Sequence, residues 1–117
     1  MADAALFIGF GEVVRGREKH ALRNYEDAIK YWNGLQEEGR IASYDVTLLG
    51  SHAQLAGYVV ARGTDDQLDA LRHSKDFRRQ LARARLTLDH LVVAEAFTGE
   101  RIAEWLGEYQ EELDQLD

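Results

Sequence analysis

The chain reads as an α+β protein, a four-stranded antiparallel sheet with helices on one face. Three observations predict this. The stretch Arg17–Gly39 carries apolar residues at every third or fourth position, the mark of an amphipathic helix. Separate runs rich in Val, Leu, Ile, Phe and Tyr have strand character. Their order along the chain is β-α-β-β-α-β, followed by one further helix. At 117 residues this is a single domain, large enough to build one core without disulfide or metal staples.

The first strand is expected over Ala5–Val14, where Gly9 and Gly11 mark a bulge or the close approach of another backbone. The long helix follows, burying Ala21, Leu22, Tyr25, Ala28, Ile29, Trp32 and Leu35. It ends at Gly39, where a glycine can take the left-handed conformation that closes a helix. Ile41–Leu49 alternates Ala42, Tyr44, Val46 and Leu48 with Ser43, Asp45 and Thr47, as a half-buried strand does. Gly50-Ser51-His52 turns into Leu55–Arg62, a near-continuous apolar run that suggests burial on both faces.

Thr64-Asp65-Asp66-Gln67 is a capping-box sequence, and Ser74 offers a second helix cap. The second helix is therefore expected to break near His73, with Phe77, Leu81 and Ala84 pointing inward beyond the break. Leu86–Phe97 is expected to be the fourth strand. A final helix, Glu100–Leu113, carries the stripe Ile102, Trp105, Leu106, Tyr109 and Leu113. This order is the split β-α-β, or ferredoxin-like, arrangement with sheet order 4-1-3-2. Two helices cover only one face of such a sheet, so the other face needs a partner.

Composition narrows the function classes. A net charge of -7 argues against a general nucleic-acid binder, which needs a basic surface to displace counterions. There is no cysteine, hence no disulfide, thiolate metal site or cysteine nucleophile. The apolar start MADAALFIGFGEVV lacks a preceding basic region and is too short to span a bilayer, so a cytoplasmic protein without membrane association is expected. Proline is absent, so charge, bulges or a partner must blunt the sheet edges.

The long helix ending EEGRI, the strand LAGYVVARG, the broken helix LRHSKDF and the last strand entering TGE together resemble the dimeric α+β barrel superfamily. In that superfamily two ferredoxin-like subunits pack sheet against sheet. The resemblance covers roughly residues 5–98 and is greatest to uncharacterised bacterial members. It implies a homodimer or higher oligomer but no particular reaction. The superfamily includes cofactor-free monooxygenases, isomerases, haem-degrading and haem-dependent enzymes, and members without known activity. Residues 1–98 form the expected barrel domain. Residues 99–117 form a helix packed on that domain or on a neighbouring subunit.

No motif specifies chemistry. There is no HxxxH or HxH pair, no phosphate-cradling glycine loop and no GxSxG elbow. No metal site or cofactor is expected. His90 is the best catalytic candidate, because alternation with Leu88 and Val92 carries it toward an apolar interior, and a half-buried imidazole can be moved across neutrality, as general acid–base work needs. His20, aligned with Asn24, Asp27 and Tyr31, reads as a solvated helix face, and His52 and His73 as surface groups. Asp45, flanked by Ser43 and Thr47, is a candidate to line a cavity between two sheets, with Asp89 and Glu95 on the fourth strand as other carboxylate candidates, although edge strands also carry charge to prevent mispairing. Trp32, Tyr44 and Tyr58 suit a flat aromatic ligand, or simply the core.

Charge is lopsided. Arg72–Arg85 holds six basic residues and one acid, whereas Thr98–Asp117 holds seven acids and one base. The apolar stripe of the last helix would cost about 1.5–3 kcal/mol per large side chain if left in water. The expectation is small-ligand binding or an interaction role; the alternative is a cofactor-independent monooxygenase or isomerase acting on a small apolar or aromatic substrate.

Overall fold

The computed structural model describes residues 4–50 and 54–116. Its elements are β1 Ala4–Phe10, α1 Glu18–Glu37, β2 Ser43–Leu48, β3 Gly57–Gly63, α2 Asp65–Arg72, α3 Lys75–Thr87, β4 Val92–Ala96 and α4 Glu100–Gln115. All strand pairs are antiparallel and the sheet order is β2-β3-β1-β4. This is the ferredoxin-like arrangement, with the two most apolar strands in the middle.

Register sorts the side chains. Leu6 pairs with Ala61, and Ile8 with Val59 and Val93, so these residues share the face covered by helices. Phe7 pairs with Val60 and Ala94, and Gly9 with Tyr58 and Val92, on the opposite, open face. Leu6, Leu35, Ile41, Leu71 and Phe77 are the most deeply buried large side chains. They join sheet, α1, the α2–α3 junction and the turn after α1 into one core.

Local signals set most boundaries. Gly39, at φ 76°, closes α1: its amide donates to the Gln36 carbonyl at 3.1 Å, and the Arg40 amide donates to the Leu35 carbonyl at 2.9 Å. This pair of bonds is the Schellman closure, which uses carbonyls that the helix end leaves unpaired. The capping box forms as expected. The Gln67 amide donates to the Thr64 hydroxyl at 3.1 Å, and the Thr64 amide to the Gln67 side-chain carbonyl at 2.8 Å. Ser74 caps α3, and the helix breaks at His73.

The fourth strand differs from expectation. Residues up to Thr87 continue α3, and β4 begins only at Val92. Between them the chain runs beside Gly11–Val14: the Val14 amide donates to the Thr87 carbonyl at 2.8 Å, and the Gly11 amide to the Asp89 carbonyl at 2.6 Å. A Cβ on Gly11 would stand 2.8 Å from that Asp89 oxygen, so glycine is required there by the neighbouring backbone. Pattern alone placed Leu86 in a strand, because apolar residues at helical and strand spacing are locally indistinguishable over so short a run.

Helix α4 is amphipathic, yet none of its described residues is buried. Its first turn is tied to the domain by Arg101, which donates to Asp65, and by Trp105, whose ring lies 5.8 Å from that of Phe97. The radius of gyration is 16.3 Å, against about 13 Å for a compact domain of this length. Among the described residues, no helix is long and apolar enough to cross a membrane.

Candidate functional site

A cavity of about 520 Å³ lies between α1, α3 and the covered face of the sheet. Its floor is Ile8, Val46 and Val59; its walls include Trp32 from α1 and Phe77 and Leu81 from α3. The space exists because alanines stand where larger residues would fill it. Ala21 and Ala28, seven positions apart on α1, face Ala84 on α3 across the cavity. The interior is apolar, and Glu18, Asn24, Gln80 and Arg83 supply polar groups among the lining. The Asn24 amide makes a long contact of 3.5 Å to the Arg83 carbonyl, spanning the two helices.

Trp32 belongs to both cavity and core, as do Ile8, Val59 and Phe77. It is buried, its ring lies 6.0 Å from Tyr44 at an interplanar angle of 29°, and it meets Phe77 edge-on at 6.1 Å. Such offset aromatic pairs add roughly 0.5–1.5 kcal/mol beyond area burial. Tyr44 stands behind Trp32 rather than in the cavity wall. Its hydroxyl donates to Asn33 Oδ1 at 2.6 Å, so its polar end is already engaged.

The other candidates from sequence do not converge here. Asp45 and Tyr58 belong to the open face. Asp45 accepts from Arg62 at 2.6 Å, and the Tyr58 ring lies 5.4 Å from that of Phe7. His90 is not on a strand and does not line the cavity. It is an exposed bend residue with φ 55°, two positions before β4 begins at Val92. The premise of a half-buried imidazole therefore fails, because the left-handed turn removes the alternation that carried His90 inward.

His20 and Asp27 are exposed, as a solvated face requires, but Asn24 reaches the cavity and Tyr31 leaves the strip to pack on the core. Asp89 and Glu95 are exposed. His73 caps α2 with its ring nitrogen 2.8 Å from the Asp69 carbonyl, and His52 lies outside the described residues. Among the described residues, no group of three or more His, Asp or Glu side chains could hold a metal ion.

One polar joint escaped sequence reasoning. Arg40, after α1, donates through both guanidinium nitrogens to Asp76 at the start of α3, at 2.7 and 3.1 Å. The hydrogen bonds from Arg40 hold the Asp76 carboxyl well below the usual carboxylate range, against a smaller opposing effect of burial. The Tyr31 hydroxyl is buried beside this joint, without a hydrogen bond of good geometry to any of the described residues. Burial, and then the Asp76 charge, push its pKa above the ordinary value of 10.0. The residues are 36 positions apart, so no local pattern pairs them.

No protein-family model matches the chain, and no curated protein matches it in sequence. Solved structures do match. A dimeric ferredoxin-like protein of unknown function from Jannaschia sp. CCS1 superposes with a TM-score of 0.62 at 12% identity, over 81% of this chain and 98% of its own. Another, from Thermobifida fusca YX, gives 0.59 at 18% identity, over 82% and 92%. A candidate antibiotic biosynthesis monooxygenase from Chloroflexus aurantiacus J-10-fl gives 0.52 at 13% identity, over 82% and 93%. In fold, the chain thus resembles ferredoxin-like bacterial proteins of unknown function that are themselves described as dimeric.

Proposed function

We propose that this chain works as a homodimer that binds a small apolar ligand, such as an aromatic ring or a short alkyl group, between α1, α3 and the sheet. The observation that carries the reading is the cavity itself. About 520 Å³ falls within the roughly 300–1,000 Å³ of known ligand pockets, which also combine apolar walls with a few polar groups. Among the described residues, no acid and base of the lining pair with each other, which favours binding as the role.

The open sheet face supports the dimer. Phe7, Tyr58, Val60, Val92 and Ala94 lie there partly or wholly exposed in the single chain, an apolar surface that a second sheet would cover. Neighbours of the same fold are dimeric.

Naphthol titrated into isotope-labelled protein and followed by NMR tests the ligand site. Shifts of the Trp32 indole N–H and of the Ala28 and Leu81 amides are expected. Shifts confined to Phe7, Tyr58 and Val60 would move the site to the open face and defeat the assignment. Native mass spectrometry of the untreated protein tests the dimer and detects any ligand carried through purification.

A further inference from the structure

Two surfaces of this molecule lack partners and match each other. The cavity mouth is edged by large apolar side chains left in water: Leu22 is 62% exposed, Leu48 61% and Tyr25 37%. Beside them the C-terminal half of α3 carries Arg83, which lines the cavity, and Arg85 two positions on. Helix α4 carries the complement: Leu106 is 52% exposed and Tyr109 57%, flanked by Glu104, Glu108, Glu111 and Glu112. Among the described residues, no α4 carboxylate meets an α3 base within the chain.

A chain cannot easily close its own mouth. The cavity opens at the Phe10 end of β1, beside the end of β2. Helix α4 starts at the other end of the sheet, after Ala96, whose partner is Ala5. There Asp65 and Phe97 hold its first turns, and the rest of the helix projects away. A second copy faces no such restraint.

We propose that α4 of one protomer lies across the cavity mouth of a second copy of this chain. Leu106 and Tyr109 would cover Leu22, Tyr25 and Leu48, with the α4 carboxylates directed to Arg83 and Arg85 of α3. The cavity is then completed by its partner, which excludes water from a bound apolar ligand. This rests on the homodimeric, ligand-binding reading above and adds the device that closes the site. Charge complementarity and exposed apolar area on both sides favour this occupant over an unrelated protein.

Full-length protein carrying Tyr109→p-benzoylphenylalanine, and separately Leu106→p-benzoylphenylalanine, is irradiated and the products mapped by peptide mass spectrometry. Both positions are exposed, so the fold is preserved. The expected product has doubled mass, with the crosslink on the peptides bearing Leu22 and Tyr25 or Leu48. At both positions, a crosslink to α4 of the other copy, an internal crosslink, or none at all overturns the proposal. High salt should lower the crosslink yield, since exposed opposite charges are screened. Naphthol binding is read separately. Binding at Trp32 without the expected crosslink removes the lid and leaves the pocket; the crosslink without binding removes the ligand reading and leaves the docked helix.

Discussion

Trp32 lies against Tyr44, with ring centroids 6.0 Å apart, while the same indole lines the cavity. One side chain therefore supports the core and shapes the site. Trp32→Ala should lower unfolding free energy by about 3–5 kcal/mol, the usual cost of deleting a buried large aromatic. Denaturant titration checks this. Trp32→Phe should keep the fold and weaken naphthol binding, which separates the two roles.

Ala28 is where the cavity is most simply filled from α1. Ala28→Phe should abolish naphthol binding while leaving the denaturation midpoint unchanged or higher, because the ring occupies existing space. Undiminished binding would show that the ligand sits elsewhere.

Adjacent valines on β3 should behave oppositely. Val60 is on the open face, so Val60→Lys should give a folded monomer in sedimentation or light scattering. Val59 is buried among the helices, and Val59→Lys should fail to fold, since an unpaired charge would enter the core. A native-sized dimer from Val60→Lys would contradict sheet-to-sheet assembly.

The Arg40–Asp76 joint should register in acid. The folded-state pKa of Asp76 lies below the ordinary 3.8, so its stabilisation is present in full above that value and is lost as pH falls through the folded pKa. Asp76→Asn should reduce stability at neutral pH by at most about 1 kcal/mol, because both partners are more than a third exposed and solvent screens them. It should also flatten the decline that sets in below about pH 4. An unchanged acid profile would show that the pair contributes nothing.

At His90 the backbone is the constraint. His90→Gly should be neutral or stabilising by up to about 1 kcal/mol, and His90→Val destabilising by more, since left-handed geometry penalises a branched side chain. Naphthol binding should survive His90→Gly. Loss of binding in that variant would restore His90 to the site.

Much of the architecture was legible from local rules. The α1 stripe (except Leu22 and Tyr25, expected inside but exposed), the closure at Gly39, the Thr64 and Ser74 caps and the apolar β3 run each follow from side-chain chemistry within a few residues. Together with chain order they imply sheet order, because short antiparallel connections leave few topologies. The same rules failed at Leu86–Leu91, where contact with Gly11–Val14 decides which residues stay helical and puts His90 in a left-handed turn.

The site was legible only in part. Trp32 was singled out by its aromatic ring, but Tyr58 and Asp45 turned out to share the open face, and the alanines that make the cavity carried no chemical signature. Composition and periodicity alone establish the kind of fold, the absence of cysteine and an acidic, amphipathic final helix. The void between α1 and α3, the Arg40–Asp76 joint and the apolar surface left open on the sheet depend on how distant segments meet. Volume and charge pairing between residues far apart in the chain are properties of packing, and no local pattern encodes them.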